Sequence, residues 1–226
     1  MTVEVAFFNA SRRLSPELER EVRAGIDDAI SALRCHADLG QIGIAVHLSE
    51  LVARETGLGG YAYGPDSCAI YVDHGCKALC QDARANAATV TVHELHHVLR
   101  MRRRPWPRFD GVCAGEVLAL EGLATQCEMF LGHPEPINVR ATPEGLTRDC
   151  LATIAPVVSD PGANWQWIYA LNGFPERVYK AVYPMGHCIV GAYLARTANT
   201  PMTALGVPWE EIWREASDHL GLMHLS

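Results

Sequence analysis

The chain has 226 residues, 49% of them hydrophobic and 20% charged, which suits a water-soluble globular fold with a substantial core. A net charge of -7 argues against a general nucleic-acid binder, because neutralising phosphates needs a basic surface. No stretch approaches the roughly 20 apolar residues of a membrane helix, and the start lacks a basic flank followed by an apolar core; both point to a cytoplasmic protein with no membrane partner.

The pattern opens with a strand, the apolar, β-prone Val3–Phe8. Ser15-Pro16-Glu17 is a helix start, with a capping hydroxyl and proline at the first helical position. That helix runs to about residue 35, its apolar face made by Leu18, Val22, Ile26, Ala29, Ile30 and Leu33. Ile42–Leu48 reads as a buried strand. Gly57, Gly59, Gly60, Gly64 and Pro65 read as punctuation, and a second convincing strand covers residues 68–73. Residues 81–104 are helical in pattern and end at Pro105 and Pro107. A further helix is expected over 113–131, stopped by Gly132. Helices over 145–158, 175–182 and 186–196 follow, then a last one opened by Pro208. Sheet first and helices afterwards predicts an α+β fold: a mixed sheet and a central helix in about residues 1–104, then a mostly helical part in 105–226, together one domain.

Eight cysteines are spread along the chain. Without a secretory leader they read as reduced, small, buried hydrophobes rather than disulfides, and the spacing of His74, Cys76 and Cys80 lacks the paired pattern of a structural metal site. Arg100, Arg102, Arg103, Arg104 and Arg108 crowd one segment; the expectation is a solvated helix end that offsets the negative pole of the helix, with an anion site as the alternative.

The chemistry sits in His93-Glu94-Leu95-His96-His97. Histidines at i and i+4 lie one turn apart on the same helical face, so both imidazoles can reach one ion. Glu94, beside that stripe, is placed to act as a base on water rather than as a ligand. His96 points to the side of the stripe and reads as packing or as support for a ligand. Glu121, in Glu121-Gly122-Leu123-Ala124, follows His97 after 23 intervening residues on a second helix, between apolar neighbours that suggest an inward face. Two imidazoles and one carboxylate leave a fourth position open, as in catalytic zinc sites.

His93-Glu94-x-x-His97 with the downstream Glu121-Gly122-Leu123-Ala124 resembles the gluzincins of the zincin superfamily. More narrowly, the doubled His96-His97, the following Arg100 and the later Tyr183-Pro184-Met185-Gly186-His187 resemble a bacterial domain-of-unknown-function family of predicted Zn-dependent proteases. The resemblance spans roughly residues 40 to 200. It implies a zincin-like fold, one zinc ion per chain and hydrolysis of a peptide or protein substrate by zinc-activated water, with Glu94 as general base. Tyr183, ahead of a proline–glycine turn, or His187 would then donate to the oxyanion. By analogy the extended substrate would pair with the strand at 68–73, lined by Tyr61, Tyr63 and Tyr71. Trp165, Trp167 and Tyr169 would shape a specificity pocket or fill the helical core. Many gluzincins carry a carboxylate four residues after the glutamate ligand; Thr125 stands there. The competing expectations are a zinc enzyme acting on another amide and a decayed zincin serving as an interaction module.

Overall fold

The computed structural model describes residues 2–50, 52–53, 55–105, 112–161 and 181–222. The chain divides into two compact units, Met1–Arg103 and Arg104–Ser226.

The first unit is built on a four-stranded mixed sheet of order β1-β2-β4-β3. Strands β1 (Val3–Phe8), β2 (Ile42–Leu48) and β4 (Ser67–Val72) run parallel, and β3 (Leu58–Gly64) closes one edge antiparallel to β4. Helix α1 (Pro16–Arg34) connects the parallel pair β1 and β2. It starts as the sequence predicts: the Ser15 hydroxyl accepts from the Leu18 N–H at 3.2 Å, and Pro16 takes the first position. After a short helix, α2 (Lys77–Gln81), comes the long α3 (Ala83–Arg103), which packs on α1, β3 and β4. Helices α1 and α3 meet at Gly25, where a Cβ would fall 2.1 Å from the Arg84 carbonyl oxygen. Val46 and Ile70 represent the buried face of the sheet, while His47 and Tyr71 belong to the other face.

Strand β3 is the main departure from the sequence reading. Its glycines are not turn punctuation. Leu58, Gly60 and Ala62 point to the helices, and Tyr61 and Tyr63 to the opposite face. The strand expected at 68–73 is therefore internal, with β2 on one side and β3 on the other.

The second unit is helical in its described residues. Helix α4 (Ala114–Phe130) is buried nearly all round, as befits a central helix. It ends at Gly132 (φ 86°): the Gly132 N–H bonds the Met129 carbonyl and the His133 N–H bonds the Glu128 carbonyl, the paired closure that a left-handed glycine permits. Short α5 (Ile137–Arg140), α6 (Glu144–Ile154) and a 3-10 turn, Ala155–Val157, precede α7 (Val182–Arg196); a 3-10 turn, Thr203–Gly206, precedes α8 (Trp209–Leu220). Leu118, Leu123, Val182, Ile189 and Ile212 belong to one apolar core. Helices α4 and α7 cross backbone to backbone: a Cβ on Gly122 would lie 2.2 Å from the Gly186 oxygen, and one on Gly186 would lie 2.6 Å from the Leu118 oxygen. Any side chain there would force the helices apart, an overpacking worth about 1–3 kcal/mol.

Pro184 and Gly186 make no turn. Both lie inside α7, and Pro184 falls at its third position, where the missing N–H has no intrahelical acceptor to lose. The helix expected at 175–182 falls outside the described residues except for its last two, as do Trp165, Trp167, Tyr169 and Arg108.

Candidate metal centre

On α3, the i and i+4 spacing brings the rings of His93 and His97 edge to face, with centroids 4.5 Å apart. One nitrogen of each ring and a carboxylate oxygen of Glu94 lie within 4.8 Å of one another. Among the described residues this is the one grouping of three or more His, Cys, Asp and Glu side chains able to hold a metal ion; His74, Cys76 and Cys80 form none. All three residues are buried, with 8% or less of their surface exposed. Two imidazoles beside a carboxylate, converging in a buried site, are the donor types that zinc takes, so the residues fit the ion. His96, wholly buried, lies on the packed side of the helix.

Glu94 is held by an absence of side chain opposite it. Gly60, in the middle of β3, faces it so closely that a Cβ there would fall 2.3 Å from the Glu94 Cγ and 2.6 Å from Oε1. The strand thus lets the carboxylate lie against its backbone. Close by stands Cys68, whose thiol is pushed far up, first by burial and then by the negative charge of Glu94, so it stays protonated. Tyr71 is pushed up to about 12, first through its hydrogen bond to Tyr63 (2.9 Å between hydroxyl oxygens), then by burial and by neighbours that include Glu94. Both neighbours of the carboxylate are therefore neutral near pH 7.

Sequence reading missed this contact. The alternation of small Gly60 and Ala62 with Tyr61 and Tyr63 carries the period of a strand, and it was outweighed by the turn propensity of glycine. Also missed was the role of the arginines at the end of α3. Arg102 donates Nη2 to the Gln41 carbonyl at 2.6 Å, Nε to the Pro65 carbonyl and Nη1 to the Leu39 carbonyl. It ties the end of α3 to the loop before β2 and to the β3–β4 turn. Arg100 is buried and Arg104 stands 3.8 Å from Glu116, so of this cluster only Arg103 is an exposed side chain among the described residues. The expectation of a solvated helix end is corrected for Arg100, Arg102 and Arg104, and it is the Arg102 guanidinium that the carbonyls of irregular backbone recruit.

In the second unit Glu121 is buried, 5% exposed, on α4 one residue before the Gly122–Gly186 crossing. Tyr183 and His187 flank that crossing on α7; Tyr183 is half-buried against the core. The nitrogens of His187 face α4: Nδ1 lies 3.3 Å from the Thr125 hydroxyl, and Nε2 lies 3.1 Å from the Gln126 amide nitrogen, which also donates to the His187 carbonyl at 3.0 Å. An amide N–H at Nε2 makes that nitrogen the acceptor and Nδ1 the protonated donor. Thr125 in turn donates to the Gly122 carbonyl at 3.0 Å. Burial lowers the His187 pKa, opposed by the charge of Glu135, in keeping with a neutral ring.

All eight cysteines are free thiols. Cys68, Cys113, Cys127 and Cys150 are buried as expected, whereas Cys35 and Cys80 are exposed. Among the described residues no helix is long and apolar enough to cross a membrane. No curated protein and no solved structure matches the chain. A family model described as predicted Zn-dependent protease (DUF2268) does match, over residues 42–214. Since that span is well over half of the chain and contains both the histidine pair and Glu121, the protein belongs to this family of predicted Zn-dependent proteases.

Proposed function

We propose that the protein is a zinc-dependent peptidase in which His93, His97 and Glu121 hold one zinc ion per chain and Glu94 is the general base. The observation that carries this reading is the buried convergence of His93, Glu94 and His97, with Glu94 set against Gly60. Zinc would supply a Lewis acid and a bound water that gives up its proton near neutral pH. His93 and His97 would each offer a neutral ring nitrogen from one helical face. Glu121, buried on α4 as Glu116 and Glu128 also are, would add the third ligand. Glu94 would accept the proton from water, and the contact with Gly60 would keep its carboxylate aimed during that transfer. With both His187 nitrogens facing α4, Tyr183 is the better candidate to donate to the oxyanion.

Beyond Leu58, which bridges Ala53, the outer edge of β3 has no strand partner among the described residues; this edge, rather than the internal β4, is where an extended peptide or protein substrate would lie. The third residue of β3 is Gly60, so the substrate backbone would pass close to Glu94. Tyr61 and Tyr63, 45% and 58% exposed, stand on the far face of that strand.

The test is metal analysis joined to a peptide-library cleavage assay on wild-type protein and Glu94→Gln. The amide keeps the shape but cannot take the proton. Zinc should stay near one per chain while hydrolysis falls by roughly 10²–10⁴-fold. Equal rates on a verified substrate would remove Glu94 from the chemistry. A zinc-loaded wild-type protein that cleaves no peptide would turn the reading to another amide.

A further inference from the structure

The other edge of the sheet carries a second feature, remote in sequence from the metal centre and wholly before the matched span that begins at residue 42. An open groove of about 1000 Å³ is lined by Phe7, Phe8, Leu14, Arg12, Arg20 and Arg23, among others. Phe7 and Phe8 are consecutive in β1, so their side chains point to opposite faces. Phe7 is half-buried under the Arg23 guanidinium, 4.4 Å from its ring centre. Phe8 is 58% exposed and stacks on His47 at 4.7 Å. A groove lined by both residues meets the rim of β1 at its Phe7–Phe8 end and continues over the loop that follows and the first turns of α1.

That rim has no strand partner among the described residues, since β1 pairs with β2 alone. Natural sheets guard such edges with lysine, proline or a bulge. Val3-Glu4-Val5-Ala6-Phe7-Phe8 has none of these, its one charge being the exposed Glu4, and its register with β2 is regular throughout. What flanks the rim instead is arginine. Asn9 clamps the loop that follows, donating from Nδ2 to the Leu14 carbonyl at 2.8 Å and accepting the Leu14 N–H at 3.1 Å. Inside this clamp Arg12 is held at φ 55°, the left-handed region, and it is the one non-glycine residue so held among those described. Arg20 and Arg23 add two exposed guanidinium groups from α1. Against these three cations the lining holds one acid, Glu19, within 3.4 Å of the Asn9 amide nitrogen, and Glu21 stands 4.0 Å from the Arg20 guanidinium. Local positive charge in a chain of net -7 selects an acidic occupant. The apolar walls and the open backbone rim select an extended chain over a small anion.

We propose that the rim of β1 is a docking site for an acidic, extended peptide segment that joins the sheet as an additional strand, its carboxylates meeting Arg12, Arg20 and Arg23. The segment would pair its main chain with β1 and lay alternate side chains beside Phe7 and Phe8. The site holds no residue of the proposed metal centre, so it serves to recruit a protein rather than to cut it.

The experiment uses the full chain as Glu94→Gln, to keep the probe intact, and a fluorescent octapeptide of alternating valine and glutamate. Saturable binding is expected, with amide shifts concentrated in Val3–Phe8. A lysine-for-glutamate counterpart should bind at least ~10-fold more weakly, and 0.5 M salt should weaken the acidic peptide. N-methylation of one alternate set of peptide amides should abolish binding and of the other set should spare it, because an edge strand pairs with one side of its guest. Arg20→Glu with Arg23→Glu, checked for an unchanged melting curve, should lose the acidic peptide. No saturable binding up to 1 mM peptide (a Kd that carries little selectivity), equal binding of the lysine peptide, shifts confined to β3, or equal competition by pyrophosphate would each overturn the proposal.

Discussion

Glu94 rests against the α-carbon of Gly60, with 2.3 Å between the Glu94 Cγ and the position a Cβ on that glycine would take. The atom in conflict is not the tip of a flexible chain but its middle, so even a methyl group would push the whole carboxylate away. Gly60→Ala should therefore mimic a lesion in the base without touching it: hydrolysis lower by about 10–10²-fold, zinc content unchanged. Gly59→Ala, one residue away on the other face of β3, is the control. Full activity in Gly60→Ala, measured beside that control, would mean that the position of Glu94 is not set by the strand.

For Tyr183, the hydroxyl is the group in question. Tyr183→Phe removes it and leaves the ring packed against the core of the second unit. A donor that meets the oxyanion acts in the transition state, so kcat should fall by about 10²–10³-fold with KM little changed. Steady-state kinetics on a verified peptide decide it. A KM rise at constant kcat would make Tyr183 a substrate contact, and no change would place the donor elsewhere.

His187 makes the second unit sensitive to acid. Burial holds its folded pKa below the ordinary histidine value of about 6.5, so the folded state prefers the neutral ring. The unfolded chain takes up the proton first as pH falls. Stability is therefore full above about pH 6.5 and is lost as pH drops through the lowered folded value. His133, lowered by burial as well, acts in the same direction. Denaturant titrations between pH 7.5 and 5 should show His187→Gln with a shallower decline than wild type; parallel declines would refute the assignment.

Much of the local structure was legible before any fold was known. Ser15 and Pro16 announce the start of α1, Gly132 the end of α4, and the apolar period from Val22 to Leu33 the buried face of α1. The errors have two causes. Gly60 was read by intrinsic propensity, although a strand position facing a buried carboxylate needs a residue without bulk. Pro184 was read as part of a turn ahead of the helix, although at the third position of α7 it breaks no bond.

By itself the sequence determined that His93, Glu94 and His97 come together, because residues at i, i+1 and i+4 of one helix are placed by the helical repeat alone. It determined the caps and the membership of the family for the same reason: these depend on residues close in the chain. Tertiary structure decided which strand stands at the edge, why Glu94 faces a glycine, which helices cross at Gly122 and Gly186, and where the His187 nitrogens point. Those contacts join residues from 34 to 64 positions apart. No local preference encodes such pairs; they are selected when the chain buries its apolar surface and each buried polar group must find a partner or a space.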